Sequence, residues 1–230
     1  MSNKPIFYDS DVLICFLEID EQKILKKLFS KVIVPEIVYV ELNRKNSPQN
    51  VKDNLKVLIG EGFVEIEKIE FATPEYYDYT CMIEGYWTND QPIGFGEAAT
   101  IALAIKHFGI VASNNLSDID DLTRLEEIPI LTFSMIMSFC FELNLMSKNE
   151  IELVWQRILK ETNQTLPTKT FNAYYSDLFE DDCSDLLKSY NFKKHYINSK
   201  KGKKSDDSIH IENVILFSRQ RLRRFHVRIS

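Results

Sequence analysis

The 230-residue sequence has no apolar run of the roughly 18 residues that a membrane span needs, so no membrane-crossing helix is expected. Its opening, Met1-Ser2-Asn3-Lys4-Pro5, lacks the apolar core of a signal peptide, which makes a cytoplasmic protein the expectation. Cysteine is scarce: Cys15, Cys81, Cys140 and Cys183 stand far apart with no CxxC spacing. That spacing argues against a zinc knuckle or a disulfide framework and leaves buried thiols. The four histidines, His107, His195, His210 and His226, fall into no catalytic pattern, and His107 reads as a surface or packing residue. What is present is ordinary globular material. With 44% hydrophobic residues, the chain can bury a core as one large domain or as one domain with an appendage.

A net charge of −6 hides a division. Residues 1–187 carry 16 Lys and Arg against 31 Asp and Glu, whereas residues 188–230 carry 12 against 3. An acidic body therefore bears a basic end. Such an end can contact nucleic acid, fold back on the acidic body, or grip an acidic partner protein.

The acids of the body recur after short apolar runs. Ile6-Phe7-Tyr8 reads as a buried strand with Asp9 at its carboxyl end, the edge where open α/β sheets hold their chemistry. Ser10 and Asp11 then open a helix carrying Val12, Leu13, Phe16 and Leu17, and Asp9 equally suits the N-cap of that helix. Val32-Ile33-Val34 reads as a second strand, followed by a helix from Pro35 and Glu36 that carries Glu41. Residues 63–69 alternate as an edge strand does, and Thr73-Pro74-Glu75 reads as a helix start.

Gly94-Phe95-Gly96-Glu97 leads into a small-sided helix with Glu97 in its first turn, either as a metal-facing carboxylate or as an acid stabilising the helix dipole. The Gly-x-Gly-x-x-Ala string mimics a dinucleotide fingerprint, but no clear strand precedes it. Residues 109–112 read as a strand running into Ser113-Asn114-Asn115, with Asp118 and Asp121 one turn apart on the helix beyond. Ile130-Leu131 is the last expected strand, and helices over 133–145 and 148–161 close the body.

This alternation predicts an α/β fold, a three-layer α/β/α sandwich around a central, mainly parallel sheet. The expected domain spans residues 1–162, with a C-terminal extension over 163–230. Asp9, Glu41, Glu97 and the Asn115/Asp118 region then converge at one sheet edge. Several carboxylates crowd together in ionised form only when a divalent cation neutralises them. Oxygen-only ligands favour Mg2+ or Mn2+ over zinc.

Five stretches together resemble the PIN-domain ribonucleases. They are Tyr8-Asp9-Ser10-Asp11-Val12-Leu13-Ile14, Val34-Pro35-Glu36-Ile37-Val38-Tyr39-Val40-Glu41-Leu42, Gly96-Glu97-Ala98-Ala99-Thr100-Ile101-Ala102-Leu103-Ala104, the polar turn after residues 109–112, and Ile130-Leu131-Thr132-Phe133-Ser134-Met135-Ile136-Met137. Their order and spacing agree with the family over roughly residues 5–160. The resemblance implies a metal-dependent endonuclease that hydrolyses RNA phosphodiesters. It makes Asp9, Glu41, Glu97 and Asp118 the metal-binding and catalytic acids, with Ser10, Asp11, Asn114, Asn115 and Asp121 accessory. Asp11 stands where the family often has asparagine, and Ser10 where it often has serine or threonine. The family's acid-rich turn here reads Ser113-Asn114-Asn115. Either Asp118 supplies the fourth acid from the next helix turn, or a neutral asparagine takes its place and weakens metal affinity.

Near the chain end, Lys200, Lys201, Lys203 and Lys204, then Arg219, Arg221, Arg223 and Arg224, stand near Phe217 and Phe225. Arginines with nearby aromatics suit RNA phosphates and bases, and the same pattern suits a helix or strand packed on the acidic body. RNA is the expected partner. An antitoxin that occludes the acidic cleft, if this chain is the toxin of a pair, and a second copy of the chain are the other expectations. Two alternative functions remain: a catalytically degenerate PIN-like module that binds RNA or protein, and a haloacid dehalogenase-type phosphatase with Asp9 as nucleophile and Asp11 as acid/base.

Overall fold

The computed structural model describes residues 5–87, 91–115, 128 and 130–179. Strand β1 (Ile6–Tyr8) is the middle strand of five, and all three of its residues are buried. Successive strand side chains point to opposite faces. Ile6 and Tyr8 accordingly enter one core, and Phe7 enters the other. β2 (Val32–Pro35) and β4 (Ile110–Ala112) pair with β1, while β3 (Val64–Glu67) and β5 (Ile130–Leu131) form the edges. The order is β3-β2-β1-β4-β5, and every pairing is parallel. This is the α/β/α arrangement that the alternation of short apolar runs and helical segments predicts.

Helices α1 (Ser10–Leu17), α2 (Lys23–Leu28), α3 (Glu36–Leu42), α4 (Gln49–Gly60), α5 (Pro74–Ile83) and α6 (Phe95–His107) precede β4. Helices α7 (Phe133–Glu142), α8 (Lys148–Glu161) and α9 (Phe171–Phe179) follow β5. Their starts are locally encoded. Thr73 accepts the Tyr76 N–H at 3.3 Å with Pro74 in the first turn of α5, and Ser147 and Glu150 cap α8 reciprocally.

One core holds Val12, Leu25, Leu55, Phe133 and Trp155 beneath one sheet face. The other holds Met82, Ala98, Ile101 and Ala102, contributed by α5 and α6. The alanines of α6 let that helix lie close to β1, β2 and β4. α5 packs antiparallel along it. The Ile93 N–H donates to the Met82 carbonyl at 3.2 Å near one end, and Lys106 meets Glu75 at 2.8 Å near the other. Among the described residues no helix is long and apolar enough to cross a membrane.

The boundary expected after residue 162 falls between α8 and α9. Beyond it, Phe171 and Tyr174 are buried against Trp155, with ring centroids 5.7 and 5.5 Å away. The Trp155 indole N–H donates to the Thr168 carbonyl at 3.0 Å.

Candidate functional site

All five strands run the same way, so their carboxyl ends share one edge. Asp9 follows β1 there, and its backbone N–H continues the sheet by donating to the Ala112 carbonyl at 2.9 Å. Its side chain is buried, and Oδ1 accepts the Ser10 N–H at 2.7 Å, which makes Asp9 the N-cap of α1. Glu41 sits in the last turn of α3 and accepts the backbone N–H of Gly96, the second residue of α6.

A side chain at Gly96 would push the Glu41 carboxylate out of this position. A Cβ there would lie 2.7 Å from Glu41 Oε2 and 3.0 Å from Asp9 Oδ1, so the two carboxylates close over a bare helix backbone. Glycine is required for that approach, not for backbone freedom. The Glu97 carboxylate reaches back towards Gly94, whose Cβ position lies 3.3 Å from Glu97 Oε2, and its charge acts on Asp9. Asp9 thus caps α1, Glu97 is the acid in the first turn of α6, and their charges interact.

The electrostatics follow from this crowding. Burial first, then the charge of Asp11, and then those of Glu97 and Glu41, hold the Asp9 carboxyl well above the usual carboxylate range, against the opposing Ser10 N–H. Burial raises Glu41 as well, opposed by Arg44 and the Gly96 N–H. Arg44 lies 3.7 Å from Glu41 Oε1 and is largely exposed.

Asp11 faces a different task. Its Oδ2 accepts the backbone N–H groups of Asn114 at 2.6 Å and Asn115 at 3.0 Å and the Ser113 hydroxyl at 3.4 Å, while Oδ1 accepts the Val12 N–H at 2.6 Å. It thus pins the turn after β4. Asn114 in turn accepts the Phe133 N–H at 2.9 Å on its side-chain oxygen, which ties that turn to the start of α7. Asn115 donates its N–H to the Ser113 hydroxyl at 3.2 Å as well, and Ser10 is half-buried. Burial pushes the Cys15 thiol beside Asn114 up to about 12, so it stays protonated.

Asp118 and Asp121 lie outside the described residues, as do Lys200, Lys201, Lys203, Lys204, Arg219, Arg221, Arg223 and Arg224. His107 stacks on Phe7 at 5.5 Å and meets Glu67 at 2.6 Å, at the far end of α6 from Gly96. Sequence reasoning missed Gly96 and Arg44. The signal for Gly96 was a glycine beside the acid of a first helical turn; Arg44 carried none beyond its spacing from Glu41.

The chemistry of the donor set suits a hard divalent cation: Asp9, Glu41 and Glu97 offer only oxygen, and their mutual repulsion is what such an ion relieves. Among the described residues, however, no group of three or more His, Cys, Asp and Glu side chains is arranged to hold one.

An all-parallel sheet in this strand order, with buried Asp9 and half-buried Asp11, Glu41 and Glu97 at its carboxyl edge, defines an α/β domain with an acidic cluster at that edge. Residues 5–113, a little under half of the chain, match the family model described as PIN domain. PIN domains are generally nucleases and typically use divalent metals. No curated protein matches the chain.

Proposed function

We propose that this protein is a Mg2+- or Mn2+-dependent endoribonuclease that hydrolyses RNA phosphodiester bonds. The carrying observation is the closure of the Asp9 and Glu41 carboxylates over Gly96, beside Glu97, at the carboxyl edge of a PIN-domain sheet. Asp9, Glu41 and Glu97, with Asp118 from outside the described residues, would hold the cation. When bound, such an ion supplies Lewis-acid stabilisation of the charge that develops on the phosphodiester, together with water activation.

The chain's own groups prepare that site. Burial of Asp9 excludes bulk water and raises the cost of leaving the acids uncompensated. Gly96 brings the positive end of α6 up to Glu41. Asp11 orients the turn after β4: burial raises its proton affinity, and three backbone N–H groups and the Ser113 hydroxyl oppose that by occupying both of its oxygens. That occupancy favours the nuclease over the phosphatase reading, which needs Asp11 as a proton carrier. Arg44 can reach a substrate phosphate from beside Glu41, and the basic residues 188–230 add sequence-independent attraction for the RNA backbone. A toxin role, with an antitoxin covering the acidic crevice, is compatible with the same site.

A second reading, the degenerate RNA- or protein-binding module, is favoured by two observations. The Asn114 oxygen is engaged by the Phe133 N–H, and no complete metal-holding group lies among the described residues.

The test is cleavage of mixed-sequence single-stranded RNA by wild type and Glu97→Gln, each with Mg2+, Mn2+ and chelator. Cleavage should require the metal and fall by about 100-fold in the variant. Metal-dependent cleavage that survives Glu97→Gln rejects the assigned site, and RNA binding without turnover selects the binding module.

A further inference from the structure

The nuclease reading leaves one feature unused, the aromatic residues in and before α5. α5 lies antiparallel to α6, with Met82 beside Ile93 just before the start of α6 and Glu75 beside Lys106 near its end. Tyr79 and Tyr76 therefore lie progressively farther from the acidic end of α6, three residues and about 4.5 Å of helix rise apart. The Tyr76 and Tyr79 ring centroids are 6.3 Å apart at an interplanar angle of 44°, and the Phe71 ring meets Tyr76 edge to face, 5.0 Å away at 61°. Tyr76 and Tyr79 are half-buried, whereas Phe71 is 79% exposed. Burial first, then Tyr76 and then the charge of Glu41 raise the Tyr79 hydroxyl above its ordinary range. At the site itself Phe95, in the first turn of α6 and adjacent to Gly96, is another exposed ring.

We propose that Tyr79, Tyr76 and Phe71 form a stacking track for the unpaired bases of a single-stranded RNA whose phosphodiester lies at the Asp9–Glu41 crevice. The proposal rests on the nuclease reading for the position of the phosphodiester. It selects single strands because a base can reach an aromatic face only when it is free of a duplex. Rings in sequence suit a strand of successive bases, each with a π-face. Packing of Tyr76 and Tyr79 in the body holds two of the rings in place before RNA arrives, which lowers the ordering cost of binding.

The experiment uses the full chain in chelator, so that binding is read without turnover. A labelled single-stranded RNA is compared with an abasic ribose-phosphate oligomer of equal length, for wild type, the double variant Phe71→Ala/Tyr76→Ala, and the conservative pair Phe71→Tyr/Tyr76→Phe. The alanine pair should lose about tenfold in affinity for the RNA and nothing for the abasic oligomer, while the conservative pair matches wild type. The abasic oligomer cancels whatever the basic chain end contributes through phosphates alone. Phe71→Ala by itself, at a largely exposed position, keeps the test independent of folding.

Unchanged RNA affinity in the alanine variants overturns the proposal and leaves the rings to a protein partner. Equal losses on RNA and abasic oligomer overturn it too, as does a wild type that binds neither. Cleavage with Mg2+ separates the two ideas. A wild type that cleaves while the alanine variants bind normally sinks the track alone, whereas base-dependent binding through these rings without cleavage sinks the nuclease reading alone.

Discussion

Asp9 shows how one side chain carries two roles that conflict in charge. As an N-cap it favours the ionised form, while burial and the charges of Asp11, Glu97 and Glu41 favour the protonated form, and the second group prevails. A carboxyl whose proton affinity is raised by folding binds more protons in the native than in the unfolded state. Its stabilising contribution is therefore complete below the ordinary carboxylate range, near about pH 4, and is lost as pH rises through the raised value. In chelator, the stability of Asp9→Asn relative to wild type should accordingly grow from mildly acid to neutral pH. Asparagine keeps an oxygen for the Ser10 N–H, so the cap survives the change. Urea unfolding of both proteins at the two pH values measures this, and a constant difference would show that Asp9 is not the titrating group.

At the scale of elements, the turn after β4 has no regular structure of its own and depends on Asp11 in α1. Asn114 then passes that order on to the first N–H of α7. Asp11→Ala would take the side-chain acceptor from the N–H groups of Val12 and Asn114 and leave that of Asn115 to the Ser113 hydroxyl, at a cost of about 2–4 kcal/mol in stability. Asp11→Asn, which retains one carbonyl oxygen, should cost less. Chemical denaturation gives the totals, and faster amide exchange at Asn114 and Asn115 in Asp11→Ala would locate the loss. Unchanged exchange there would remove Asp11 from this role.

For the whole molecule, the described chain extends past the region matched by the PIN-domain model into helices that complete one core. Trp155 is fully buried among Phe133, Phe171 and Tyr174, so the sheet-covering layer continues to α9. A chain ending at residue 162 loses Phe171 and Tyr174 and should be less stable than one ending at residue 179 by at least about 3 kcal/mol. Thermal melts of the two would measure the gap, with a red-shifted tryptophan emission in the shorter chain. Equal melting temperatures would place the domain end at residue 162.

The order of strands and helices was legible from the amino acids alone because it rests on local physics. Ile6-Phe7-Tyr8 and Val32-Ile33-Val34 are short apolar runs, Thr73-Pro74 and Ser147 open helices through neighbouring backbone groups, and Asp9 and Glu97 mark junctions between elements. Folding was needed for everything that depends on a distant partner. Nothing near Gly96 in the chain says that Glu41 and Asp9 will close over it, and nothing near Asp11 or Asn114 says that one will hold the turn after β4 and the other the start of α7. Those contacts arise when parallel crossovers bring the strand ends to one edge, and hydrophobic periodicity within any single segment carries no record of which segments will meet there.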